Sequence, residues 1–139
     1  MAKVSSNKQV SGLFGPTLKK HYYSPVAYHN KSAIAKSTKN KWCVKKDKQY
    51  EIFKLADESN WICQERQALF SILDDGKLIM GTDDEVLGFF RIPQNASDPW
   101  HGFPVKSDDK APSSNLLDIW VNKRVISNIT RLRIERGAL

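Results

Sequence analysis

ALFSILDDGKLIMGTDDEVLGFFR, residues Ala68 to Arg91, decides what kind of chain this is. The apolar runs ALFSIL and KLIM flank Asp74-Asp75-Gly76. An Asp-Gly pair between apolar runs is a strong local hairpin signal, because both residues tolerate the positive φ of a tight turn. A hairpin over 68–80 is therefore expected. Thr82-Asp83-Asp84-Glu85 then fits a capping box, with the Thr82 hydroxyl on the Glu85 amide and the Glu85 carboxylate reaching back. Acids in the first turn suit the helix dipole, so a short helix over 83–89 is expected next.

Working toward the N-terminus, WCVKKDKQYEIF (Trp42 to Phe53) sets two apolar clusters around KKDKQ. That is a hairpin-like layout, with a single amphipathic helix as its alternative. Together these segments suggest a sheet centred on 42–80. Toward the C-terminus, Pro93 ends regular structure, and Gln94 to Ser114 holds three of the six prolines. Connections of that length are uncommon in compact domains and are usually functional or disordered. Beyond it, Ser113 or Ser114 can cap a helix carrying Leu116, Leu117, Trp120 and Val121. After a break at Lys123-Arg124, Val125, Ile126, Ile129 and Leu132 suggest a second helix, with Ser127 as cap and Gly137 as stop. Leu132 and Ile134 alternating with arginines form a competing strand pattern. The fold class expected is α+β: a small antiparallel sheet packed by C-terminal helices, with a basic, partly flexible N-terminal arm. Residues 1–20 would be the arm and 21–139 a single domain, with SAIAKS (32–37) as a short helix in it.

A chain of 139 residues with 40% hydrophobic and 27% charged side chains is in the range of soluble globular domains. Its longest nearly apolar run, Val86 to Phe90, is far short of the roughly 20 residues that cross a bilayer, and no signal-peptide core precedes it. Cys43 and Cys63 form no C-x-x-C pair. Two free thiols and a cytoplasmic location are expected, with no membrane partner.

The net charge of +7 is unevenly placed. Ten lysines precede the first acid, Asp47, whereas the remaining residues hold 12 basic against 15 acidic side chains. The lysine-only segment carries Gly12, Gly15, Pro16 and Pro25, unlike an Arg-rich amphipathic presequence. Lysines interleaved with the aromatics of HYYSPVAYHN (21–30) suit a polyanion whose bases stack. The plainer reading packs Tyr22, Tyr23, Val26 and Tyr28 and leaves the lysines solvated. The expected partner is nucleic acid or an acidic protein, held by Lys19, Lys20, Lys36, Lys39, Lys41, Lys45, Lys46, Lys123, Arg124, Arg131, Arg133 and Arg136.

LLDIWVNKRVISNITRLRIERGAL (116–139) locally resembles a helix-turn-helix of the phage-repressor type, through Ile126-Ser127 at the turn and Ile134-Glu135-x-Gly137 at the close. The resemblance implies a reading helix after Ser127 that offers Asn128, Thr130, Arg131 and Arg133 to a groove. Val125 stands where that turn usually has glycine. The alternative is a basic helix packed on the domain through Leu116, Trp120, Ile129 and Leu132.

Within DPWHGFPV (98–105), Trp100 and Phe103 suit loop anchors, and His101 is the candidate general acid or base of a small toxin-type nuclease. Gly102 would let a ligand approach the backbone. A third reading is a protein partner in a toxin-antitoxin or phage-defence complex. Turn and cap chemistry accounts for Asp74, Asp75, Asp83, Asp84 and Glu85, and His21, His29, Cys43, Cys63 and His101 lack the tight pairs of zinc sites. No metal and no cofactor is expected. There is no P-loop, G-x-G-x-x-G or G-x-S-x-G.

Overall fold

The first correction comes at WCVKKDKQYEIF, where the structure, a computed structural model describing residues 12–25 and 39–139, has a helix instead of a hairpin. Helix α1 spans Lys46–Glu58. KKDKQ lacks the Gly, Pro or Asn that a tight turn needs, whereas Gln49, Tyr50, Phe53, Ala56 and Asp57 repeat at helical spacing and are all buried. Asp47 lies in the first turn, on the side that the dipole favours.

Four antiparallel strands follow in the order β1-β2-β3-β4: β1 Ile62–Cys63, β2 Ala68–Ser71, β3 Leu87–Arg91 and β4 Phe103–Val105. The expected hairpin over 68–80 is not formed. β2 pairs instead with β3, in the register Leu69↔Phe90 and Phe70↔Phe89. Residues 83–89 are likewise not a helix: Asp84 has φ +63, and Leu87 to Phe89 already belong to β3. Cross-strand packing of Leu87, Phe89 and Phe90 on both sheet faces outweighs the local capping signal. β4 lies within the Pro-rich stretch that the sequence marks as a connection, pairing Phe89↔Phe103 and Leu87↔Val105. The sheet thus runs over 62–105 and not around 42–80.

Both sheet faces are covered. On one, Phe90 lies 5.4 Å from Phe53 of α1, centroid to centroid, and also meets Tyr23 and Trp42 at 5.9 Å each. On the other, Phe70, Phe89 and Phe103 form a cross-strand row at 5.3 and 5.5 Å. Lys110 and Arg91 each stand 5.7 Å from the Phe89 centroid. Helix α2 (Ser114–Asn122) packs on helix α3 (Asn128–Glu135) and on β1, with Trp120 edge-on to Trp61 at 5.6 Å. The chain is α+β, with three helices and four strands among the described residues.

Gly12 to Lys20, which the sequence assigns to the arm, are docked: Phe14 exchanges backbone bonds with Tyr23 and stacks on Tyr50 at 5.8 Å. Tyr23 bridges onward to Trp100. Lys36, Val26, Tyr28, His29, residues 1–11 and the helix expected over 32–37 lie outside the described residues.

The C-terminal helices carry the expected caps. Ser113 and Ser127 accept from the amides of Leu116 and Thr130, and Gly137 takes φ +70 after α3. The buried positions of α3 are Thr130 and Ile134, however, while Ile129 and Leu132 are 71% and 47% exposed. The packing expected through Ile129 and Leu132 is thereby corrected. A second cap explains the DDG turn. Asp74, Asp75 and Gly76 all have positive φ, and the Asp75 carboxylate accepts the Ser127 amide at 2.9 Å. Burial alone would raise the Asp75 pKa. Hydrogen bonds from Ser127 and Thr130, with Lys77 nearby, outweigh it and hold the carboxyl below the ordinary 3.8.

Gly102 serves packing and not ligand access. A Cβ there would stand 2.7 Å from the Phe89 carbonyl oxygen and overlap the Phe90 ring. Two outcomes are expected. Gly102→Ala should lower unfolding free energy by about 1–3 kcal/mol, the usual cost of overpacking, measured by urea titration. For Asp75→Asn, which keeps a side chain tolerant of positive φ, the stability gap to wild type should be full above pH 3.8 and close as pH falls below it. A pH-independent gap in a series of urea midpoints would exclude the charged cap.

Candidate functional site

Asp57 stands at the C-terminal end of α1 and is 2% exposed. A carboxylate buried to that degree needs partners. Its Oδ2 accepts the Thr17 hydroxyl at 2.6 Å, and its two oxygens lie 2.9 and 3.1 Å from Nδ1 of His21. Thr17 and His21 are brought there by a tight turn. The Lys20 amide donates to the Thr17 carbonyl, the Thr17 amide to the His21 carbonyl, and Lys20 itself has φ +66. The Leu18 amide also donates to Glu58 at 2.9 Å. The turn therefore sits on the last residues of α1, and its cations lie where the helix dipole favours them. Lys19 donates from Nζ to Asn60, which closes the helix with φ +60.

These groups rim a cleft of about 420 Å³. Its polar side holds Lys19, His21, Asp57, Asn60 and Gln64, and its apolar side Ile62, Leu69, Ile92, Pro93, Ala96 and Trp100. The His21 ring packs on Trp100 at 5.3 Å, and its side chain is 31% exposed. Because ionised Asp57 can only accept, Nδ1 carries the ring hydrogen in the neutral imidazole, which makes Nε2 an acceptor. The volume falls within the range of small-molecule pockets.

His101 has a different environment. It is exposed, its Nδ1 lies 2.9 Å from the Ser24 carbonyl, and no carboxylate or cation pairs with it among the described residues. The neighbouring Trp100 is buried and pairs its backbone with Tyr22 and Ser24, while half-buried Phe103 packs on Phe89. The histidine that meets a carboxylate within the described residues is thus His21, with Asp57. Sequence spacing does not reveal it, since 36 positions separate the two.

Glu85 is buried and accepts the amides of Asn40 and Asp83 at 2.7 and 2.9 Å. It organises a loop, as a capping carboxylate would, without a helix. Asp83 pairs with Lys106 at 3.4 Å. Among the described residues no group of three or more His, Cys, Asp or Glu side chains is arranged to hold a metal ion. Cys43 and Cys63 form no disulfide among the described residues, and Cys63 is buried. No helix of the described residues is long and apolar enough to cross a membrane.

The basic residues do not form one face. Lys19 and Lys20 share the Thr17 turn, and Lys45 and Lys46 begin α1. Lys39 lines a second cleft, of about 440 Å³, beside Asp83 and Lys106, and Lys41 is buried. Lys123, Arg124, Arg133 and Arg136 are exposed around α3. Arg131 differs from its neighbours: it donates to Asp118 at 2.5 Å and to Glu135 at 3.2 Å, which hold its pKa up. Thr130 is buried and caps against Ser127 and Asp75. Two of the four side chains that a reading helix would offer are therefore turned to the protein. Asn128 and Arg133 are exposed, so α3 is a packed helix with a basic outer side. Compared with family models, with curated proteins and with solved structures, the chain matches none.

His101→Ala should cost at most about 1 kcal/mol, the net worth of one hydrogen bond at the surface. Trp100→Ala should cost about 3–5 kcal/mol, as for a buried aromatic. Thermal melts of the two variants side by side would show the contrast, and equal losses would refute it.

Proposed function

We propose that the chain is a small basic protein that binds nucleic acid, chiefly by its phosphates. The observation that carries this reading is the lysine-only charge of residues 1–46, whose described turn carries Lys19 and Lys20 and puts Lys19 at the rim of a cleft with an apolar wall. Cations beside apolar and aromatic surface are what a single strand needs: the phosphates meet charge while a base leaves water. Lys45 and Lys46, and Lys123, Arg124, Arg133 and Arg136, add positive charge at other places on the surface and have no carboxylate within ion-pair distance among the described residues. Contacts of this kind give salt-dependent affinity with little sequence preference.

An acidic protein is the second reading. Exposed Ile129 and Leu132 lie on α3 with Arg133 and Arg136, a mixed apolar and basic surface that an acidic partner would complement.

The test is a salt titration of oligonucleotide binding by fluorescence anisotropy. Affinity should fall steeply and linearly on a log-log plot, and Lys19→Gln with Lys20→Gln should reduce the slope by about 1 to 2. Removing 1–11, with Lys3 and Lys8, should reduce it similarly while leaving Phe14 and Thr17 in place. Binding indifferent to salt would reject the reading, and retention of an acidic protein without nucleic acid would favour the second.

A further inference from the structure

We propose that the His21 cleft cleaves RNA, with the imidazole taking the proton of the substrate's own 2′-hydroxyl. The inference rests on the nucleic-acid reading above and gives its cleft a reaction. The Thr17 turn is already tied to α1 by the Thr17 hydroxyl on Asp57 and the Leu18 amide on Glu58. An imidazole adds what a tie does not require, a second ring nitrogen on a side chain that is 31% exposed and lines a cleft. Asp57 sets the tautomer: with Nδ1–H directed at its carboxylate, Nε2 is the proton acceptor.

The lining of the cleft narrows the chemistry. Among the described residues its lining has no serine, threonine or cysteine, and the attacking oxygen is taken to come with the ligand. RNA brings such an oxygen next to every phosphorus. Lys19, fixed by Asn60, offers an ammonium to the phosphoryl oxygens, and Ile62, Ile92 and Pro93 offer an apolar wall to a base. In the step, the 2′-oxygen bonds phosphorus as its proton passes to Nε2 of His21. The bond from phosphorus to the 5′-oxygen breaks, and that oxygen takes a proton from the Lys19 ammonium. The products are a 2′,3′-cyclic phosphate and a 5′-hydroxyl, and solvent resets both side chains. The step uses no oxidant, reductant or cofactor. Asp57 is a positioning residue, acting through His21.

The experiment uses the full chain with end-labelled RNA and DNA oligonucleotides of one sequence, in EDTA, and measures binding and single-turnover cleavage separately. RNA should be cut to cyclic-phosphate ends, and bound DNA should stay intact. His21→Ala should slow cutting about 100-fold or more, the usual contribution of general-base catalysis, with the Kd for RNA nearly unchanged. Asp57→Asn should also slow cutting at saturating RNA while binding persists, whereas His101→Ala should leave the rate unaltered. If His21→Ala lowers the melting midpoint, Lys19→Gln on an exposed side chain replaces it, with the same loss of rate expected. RNA bound but uncut, or cut equally by the His21 and Lys19 variants, overturns the inference and leaves the binding reading standing. RNA not bound at all overturns both.

Discussion

The structure depends on the Phe90 ring having neighbours on every side. Tyr23, Trp42 and Phe53 reach it from three separate segments, and Gly102 and Gly88 leave their side-chain space to it. Each aromatic pair adds only about 0.5–1.5 kcal/mol beyond the area it buries. Because one ring joins them, however, the segments around Tyr23 and Trp42, α1, β3 and the loop before β4 come into place together. Trp42 reinforces the arrangement by donating its indole N–H to the Gly102 carbonyl at 3.0 Å. Tyr23 lies fully buried beside it, its hydroxyl donating to Gln49, and burial holds its pKa far above the ordinary value.

A second constraint follows from the first. Docking Tyr23 against the core brings the chain just before it over the end of α1, where Asp57 is already buried. A buried carboxylate is tolerated only with hydrogen bonds, and the Thr17 turn supplies them. His21 adds a further hydrogen bond to a carboxylate that Thr17 already engages, and the same turn carries its ring to the cleft. The proposed reaction and the docking of the turn therefore both involve His21 and Asp57.

Features whose cause is local could be read from the sequence. Ser113, Ser127 and Gly137 act within one helical turn of where they stand, and two C-terminal helices followed from them. The Asp74-Asp75-Gly76 segment was legible as a place of positive φ but not as a cap for α3, because Ser127 is 52 positions away. β3 reads as a helix start since Thr82 and Glu85 have the right spacing, yet the register against β2 decides it. The cleft fared worst. His101 stands out between Trp100 and Gly102, whereas His21 is the first residue after the expected arm, and only the docking of Phe14 and Tyr23 gives it a carboxylate. Pairings between distant residues carry no sequence period, so nothing in the pattern could have marked them.

The sheet also ends in a way that limits what it can join. An open antiparallel sheet exposes unpaired backbone on its outer strands, a template on which a further chain can add. Here β1 contributes only Ile62 and Cys63, too short a row to seed much pairing. On the other side, Pro104 removes the donor from the middle of β4, and the Asn40 side chain already occupies its carbonyl at 2.9 Å. A protein that carries so much positive charge beside exposed apolar groups therefore keeps its strands from serving as a seed for fibrils when copies crowd along a shared strand.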